Sequence, residues 1–138
     1  MARAAQKKVM SIALMPGSRL PAYCTSMGRV LLAALPEAGA ATILGPGPLP
    51  ARTGRTLTDP ALVLAELAKV RAQGYAVIDQ EVELGLRSIA VPLHDIHGRT
   101  VAALNIGLSA RQETGEALAP LYLATLLQVQ AEIRALLR

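Results

Sequence analysis

The chain has 138 residues, 52% of them hydrophobic, with no Phe or Trp and three Tyr. That is the length of one domain with its own aliphatic core, which excludes disorder and argues against a platform that stacks single-stranded nucleic acid on aromatic rings. The formal charge of +4 is scattered, apart from Arg3, Lys7 and Lys8 near the start and the trio Arg52, Arg55 and Arg99, so no basic stripe suited to DNA is laid along a helix.

The segment Val9 to Leu14 has the pattern of a strand, closed by a turn at Pro16 and Gly17. A helix is expected next, with Thr25 or Ser26 as its N-cap and Pro36 marking its end. "EAGAATILG" predicts a short second helix stopped at Gly45, and "PGPLPARTGRTLT" an exposed irregular loop. The clearest helix follows: Asp59 caps it, Pro60 takes the first helical position and Gly74 closes it. "YAVID" then reads as a strand. "RSIAVPLHD" and "RTVAALNIGLS", joined by "DIHG", read as an antiparallel hairpin. From Gly115 to Arg138 a terminal helix is expected, with an apolar stripe at Leu126, Val129, Ile133 and Leu137 and Pro120 near its start. This order predicts an α+β domain, a mostly antiparallel sheet with helices packed on it.

Side chains alternate across a strand, so the hairpin has two unlike faces. Ile89, Val91, Leu93, Leu104, Ile106 and Leu108 make one face bulky and aliphatic. Ser88, Ala90, Pro92, Ala103, Asn105 and Gly107 make the other small and partly polar. The volume above the small face must be filled, either by a large side chain from a helix or by a small molecule held by the Ser88 hydroxyl and the Asn105 amide. An Asn in mid-strand runs against propensity and favours a purpose.

"LPAYCTSMGRVLLAAL" can supply the opposing wall. The first N–H groups of a helix have no partner inside it, and the helix dipole adds about half a positive charge there. A carboxylate placed beside Ser26 and Met27 would gain backbone and hydroxyl hydrogen bonds together. A plain helix cap explains the same residues.

Other chemistries find less support. Cys24, the single cysteine, cannot form an internal disulfide, which fits a reducing cytoplasm. As a nucleophile it would need a base, and the two histidines, His94 and His97, both lie near the hairpin turn. With Asp95 those histidines make at most part of a metal site, so no metal is expected. Asp79, Glu81 and Glu83 could form an acid/base pair or orient a ligand, but a polar edge or loop explains them equally. No Walker loop or dinucleotide fingerprint occurs, and no cofactor is expected. The sequence also lacks a signal-peptide pattern and any run of about 18 apolar residues, so a soluble cytoplasmic protein is expected.

Taken together, "RLPAYCTSMGRVLLAAL", "GYAVIDQEVELGLRSIAVPL" and "GRTVAALNIG" resemble the C-terminal effector-binding domain of IclR-type bacterial transcriptional regulators. The first of these is similar to the subgroup that controls protocatechuate, 4-hydroxybenzoate and β-ketoadipate catabolism, and the resemblance spans about Arg3 to Arg138. It implies a fold related to GAF and profilin domains, with long helices on one face of the sheet and a ligand pocket on the other. It also implies a non-enzymatic sensor of a small aromatic or dicarboxylic acid, assembled as a homodimer or tetramer. The family's ligand positions correspond to Ser26, Met27, Ser88, Asn105 and Gly107, with Tyr23 as a further lining residue or part of the core. Arg29 could reach a carboxylate, or pack and pair on the helix surface.

The resemblance also brings departures. Family members carry an N-terminal winged helix-turn-helix that binds DNA, and nothing in this sequence matches it. The helix and strand that normally open the effector domain also find no match, and their loss would expose a sheet edge and favour dimerisation. Where some relatives place a cysteine or an acid in the pocket, this chain has Ser88 and Ile78. Two other classes remain open: an oligomerisation module without ligand response, and a small thiol enzyme using Cys24.

Overall fold

In a computed structural model, residues 16–111 and 113–137 are described. The expected strand from Val9 to Leu14 lies outside them. The elements in chain order are α1 (Ser26–Ala33), α2 (Glu37–Leu44), α3 (Pro60–Gln73), β1 (Ala76–Asp79), β2 (Leu86–His94), β3 (Thr100–Ser109), a single 3-10 turn (Gly115–Ala117) and α4 (Leu118–Arg134). The α+β expectation holds, with an antiparallel sheet of order β1-β2-β3 among the described residues.

Local chemistry explains most of the boundaries. Of the two cap candidates, Thr25 is the N-cap of α1: its backbone is extended and its side chain accepts from the Gly28 N–H at 3.2 Å. Such a cap stabilises a helix by about 1 kcal/mol. Asp59 does the same for α3, accepting from the Ala61 N–H at 2.9 Å, and Gly74 closes that helix in the left-handed conformation at φ 86°. The terminal helix is shorter than its sequence pattern: a 3-10 turn precedes it and regular helix ends at Arg134.

The register confirms the two faces of the hairpin. Ile89 lies opposite Ile106 and Val91 opposite Leu104, while Ser88 lies opposite Gly107, Ala90 opposite Asn105 and Pro92 opposite Ala103. β1 extends both faces, placing Ala76 beside Ala90 and Ile78 beside Ser88 on the small one and Val77 beside Ile89 on the bulky one.

Each face has its own cover. α4 packs on the bulky face, where Ile89, Val91, Leu118 and Leu126 are buried together. α1 lies on the small face with α2 and α3 packed behind it, and Val30, Leu32, Leu44, Val63, Leu67 and Val70 form one buried cluster with Ala76 and Ala90. Full burial of one such aliphatic side chain is worth about 1.5–3 kcal/mol. The space above Ala90 and Ala103 is therefore filled by helix side chains. Asn105 and Gly107 belong to neither buried cluster.

Candidate functional site

The segment before α1 turns sharply against the helix, and Gly28 permits it. A Cβ on Gly28 would stand 2.3 Å from the Ala22 carbonyl oxygen and 2.5 Å from Thr25 Oγ1, so any side chain there would push the turn away. This close approach drives Ser26 down onto the sheet. Ser26 is 1% exposed and Ser88 is 8% exposed, and Ser88 Oγ donates to Ser26 Oγ at 2.8 Å. The bond joins two residues that are 62 positions apart in the sequence.

The other expected positions are placed as follows. Met27 is half-buried against the core of α1 to α3. No described residue accepts from the backbone N–H of Ser26 or Met27. Asn105 is half-buried and its side chain has no hydrogen-bond partner among the described residues. Gly107 is exposed, and a Cβ there would make one ordinary contact, with Leu86 Cδ1 at 3.8 Å. Among the described residues, neither packing nor backbone geometry requires glycine at 107.

Tyr23 has a bracing role that sequence reasoning did not supply. Its hydroxyl donates to the Pro50 carbonyl, which pins segment 49–58 beside the start of α1. Burial raises the Tyr23 pKa, and the neighbouring Cys24 adds to the effect. Cys24 is fully buried, and burial likewise pushes its thiol pKa up; Glu81 adds to this, while Arg52 and Arg29 oppose it. A buried, protonated thiol is a poor nucleophile.

Arg29 lies inside the protein, and its pairing is not on the helix surface. The residue is 2% exposed; Nη2 meets Glu81 Oε1 at 2.7 Å and Nε donates to the Tyr23 carbonyl at 2.8 Å. The signal was present in the spacing, since Ser26, Arg29, Val30 and Ala33 form one buried helical stripe. Glu81 Oε1 also accepts from the Leu57 N–H at 3.0 Å. Thr56 Oγ1 donates to the Glu81 carbonyl at 2.5 Å and Thr53 Oγ1 to the Gln80 carbonyl at 2.6 Å. Together these bonds bind α1, segment 49–58 and the β1–β2 connection into one frame. Glu83, in the same connection, keeps Oε2 buried without a described partner.

A second clamp sits beside that frame. Asp79 accepts from Arg87 Nε at 2.6 Å and pairs with Arg55 Nη2 at 3.2 Å, while Arg87 Nη1 donates to the carbonyls of Ala110 and Glu113. Burial works to raise the Asp79 pKa, but hydrogen bonds from Arg87 and Gln80 and the charges of Arg87 and Arg55 hold it below the usual value. At the hairpin turn, Asp95 accepts from the N–H groups of His97 and Arg99 and from Arg99 Nε. Those contacts likewise overcome the upward pull of burial on its pKa. His94 and His97 do not join it in a metal cluster: among the described residues no group of three or more His, Cys, Asp and Glu side chains could hold a metal ion.

Two cavities formed by described residues flank α1. One of about 660 Å³ is lined by Ala22, Gly28, Leu31, Leu35, Ile43 and Arg99. A second of about 360 Å³ shares Ala34 and Thr100 with it and is lined further by Val30, Arg71, His94 and Gln130. Neither is lined by Ser26, Ser88 or Asn105. Among the described residues no helix is long and apolar enough to cross a membrane.

Comparison with known proteins matches this arrangement to a family. Residues 1–135 match the description "Bacterial transcriptional regulator IclR C-terminal". The chain is 49% identical over 122 residues to the Pca regulon regulatory protein of Pseudomonas putida, covering 86% of this chain and 42% of that protein. Among solved structures, it is 40% identical to a transcriptional regulator from Rhodococcus sp. RHA1, with a TM-score of 0.85 over 94% of this chain and 52% of that one. It is 35% identical to the inducer-binding domain of the PobR transcription factor from Acinetobacter, a double mutant in complex with 3-hydroxy benzoic acid, with a TM-score of 0.79 over 86% of this chain and 69% of that one. The chain thus spans less than half the length of its Pseudomonas relative, and its relatives are transcriptional regulators. It belongs to the IclR family of bacterial transcriptional regulators, in the part that forms their C-terminal effector-binding domain.

Proposed function

We propose that this domain senses a small aromatic or dicarboxylic acid, of the protocatechuate, 4-hydroxybenzoate or β-ketoadipate class, and does not transform it. The observation that carries the reading is the start of α1. Two backbone N–H groups, at Ser26 and Met27, lack described acceptors, and the hydroxyls of Ser26 and Ser88 meet beside them. A carboxylate there takes up the unused donors and the positive end of the helix dipole. Asn105 offers its free amide to a hydroxyl or keto group, and the missing side chain of Gly107 leaves room for the body of the ligand. Tyr23 acts from behind, by holding segment 49–58 in place. The binding of a hydroxybenzoic acid by the PobR domain supports the choice of ligand class.

Binding at this site shifts the population between arrangements of the domain in its oligomer, and so changes the DNA affinity of the intact regulator through a separate winged helix-turn-helix domain. The test is thermal unfolding of the chain with protocatechuate, 4-hydroxybenzoate, β-ketoadipate and pyruvate in parallel. An acid present at 100 times its dissociation constant adds about 2.7 kcal/mol of stability. A raised melting temperature with one of them, lost in Ser88→Leu, supports the reading. A cooperative melt that no acid moves goes against it and favours a role in assembly alone.

A further inference from the structure

The acid groups around the start of α1 are almost all spoken for. Glu81 is taken by Arg29 and the Leu57 N–H, and Asp79 by Arg87 and Arg55. One cation in the same neighbourhood has no acid of its own. Arg52 is exposed, its backbone N–H is fixed by Thr56 Oγ1 at 3.0 Å, and its guanidinium has no hydrogen-bond or ion-pair partner among the described residues.

The place of Arg52 is set by the frame. It stands two residues after Pro50, whose carbonyl receives the Tyr23 hydroxyl, and one before Thr53, whose hydroxyl is tied to the Gln80 carbonyl. Its backbone is therefore held on both sides, near the hydroxyl of Tyr23, which stands three residues before Ser26. The field of the guanidinium reaches both Tyr23 and Cys24, opposing the rise in each pKa.

From this placement we infer that Arg52 is a specificity-determining residue: a second anion contact that makes the domain prefer acids with two anionic ends over acids with one. The inference rests on the proposed site at Ser26 and Met27, which takes the first carboxylate. The remaining carboxylate of a diacid then comes within reach of the Arg52 guanidinium, which donates to it in a charge-assisted pair. A monoacid of the same length leaves Arg52 solvated and gains nothing from it.

Calorimetric titration of the whole chain with two matched pairs tests this: adipate against hexanoate, and terephthalate against 4-methylbenzoate. Wild-type protein should bind the better diacid about three- to fivefold more tightly than its monoacid partner, the upper end of what an ion pair to an exposed side chain contributes, and the preference should shrink as salt is raised. Arg52→Gln should bring the affinity ratio close to one, and Arg52→Lys should restore part of it. Because only the backbone of Arg52 is tied down, a matching melting temperature shows that the variant is folded. A wild-type protein that does not prefer the diacid overturns the assignment, as does an Arg52→Gln variant that keeps the wild-type ratio; both leave the Ser26 site standing. Failure of all four acids to bind wild-type protein overturns the site reading and this assignment with it.

Discussion

Arg29 Nη2 lies 2.7 Å from Glu81 Oε1, with the two side chains 3% and 11% exposed, and this pair joins α1 to the β1–β2 connection. Removing one partner strands a buried charge, which costs about 3–5 kcal/mol, whereas removing both relieves much of that cost. Arg29→Met should therefore be destabilised by about that amount in urea unfolding. Arg29→Met with Glu81→Leu should fall well short of the sum of the single changes. Strict additivity would show that the pair is not coupled.

Acid should weaken the fold through Asp79 and Asp95. Both carboxyls have folded-state pKa values below their unfolded ones, so their contribution is complete above the ordinary carboxylate value of about 3.9 and is lost as pH falls through the folded values. Urea midpoints measured from pH 7 downward should hold steady to about pH 5 and then decline. Asp95→Asn keeps the turn acceptor but not the charge, so the wild-type advantage over it should narrow below about pH 4. An advantage that is constant across that range would contradict the assignment.

Cys24 should be slow to react. It is fully buried and burial pushes its thiol pKa up, so little thiolate exists at neutral pH. Iodoacetamide labelling at pH 7.5 should proceed orders of magnitude more slowly than with free cysteine, and should accelerate in urea as the chain unfolds. Fast labelling of the folded protein would revive the thiol-enzyme reading.

Gly28→Ala should reverse the usual sign of a glycine-to-alanine change within a helix. Alanine ordinarily stabilises such a site by roughly 0.5–1 kcal/mol. Here the added Cβ would meet the Ala22 carbonyl oxygen at 2.3 Å, a backbone atom that cannot swing aside. A loss of about 1–3 kcal/mol, typical of overpacking, is expected in thermal or urea unfolding. Loss of acid binding should accompany it, because the same turn places Ser26 against Ser88.

The sequence was most informative where causes are local. Asp59, Pro60 and Gly74 mark α3 because capping and left-handed closure depend on a few neighbouring residues. The two faces of the hairpin follow from the period of two, and the register bears them out. What covers each face was not legible, since that is decided by packing between distant segments. The same applies to the frame around the site: Arg29 and Glu81 are 52 residues apart, and Tyr23 and Pro50 are 27 apart. At the small face, the structure supplies one of the two answers left open by the sequence. Helix side chains fill the volume over Ala90 and Ala103, while Asn105 and Gly107 stay outside the cores.

The central claim is that an acid binds at the start of α1, and the backbone N–H resonances of Ser26 and Met27 report on it directly. In a titration of isotopically labelled protein with the acid that raises the melting temperature most, these two amides should move downfield and saturate together, as a new carboxylate acceptor would require. Saturating shifts that leave Ser26 and Met27 in place and gather around another part of the fold would contradict the account.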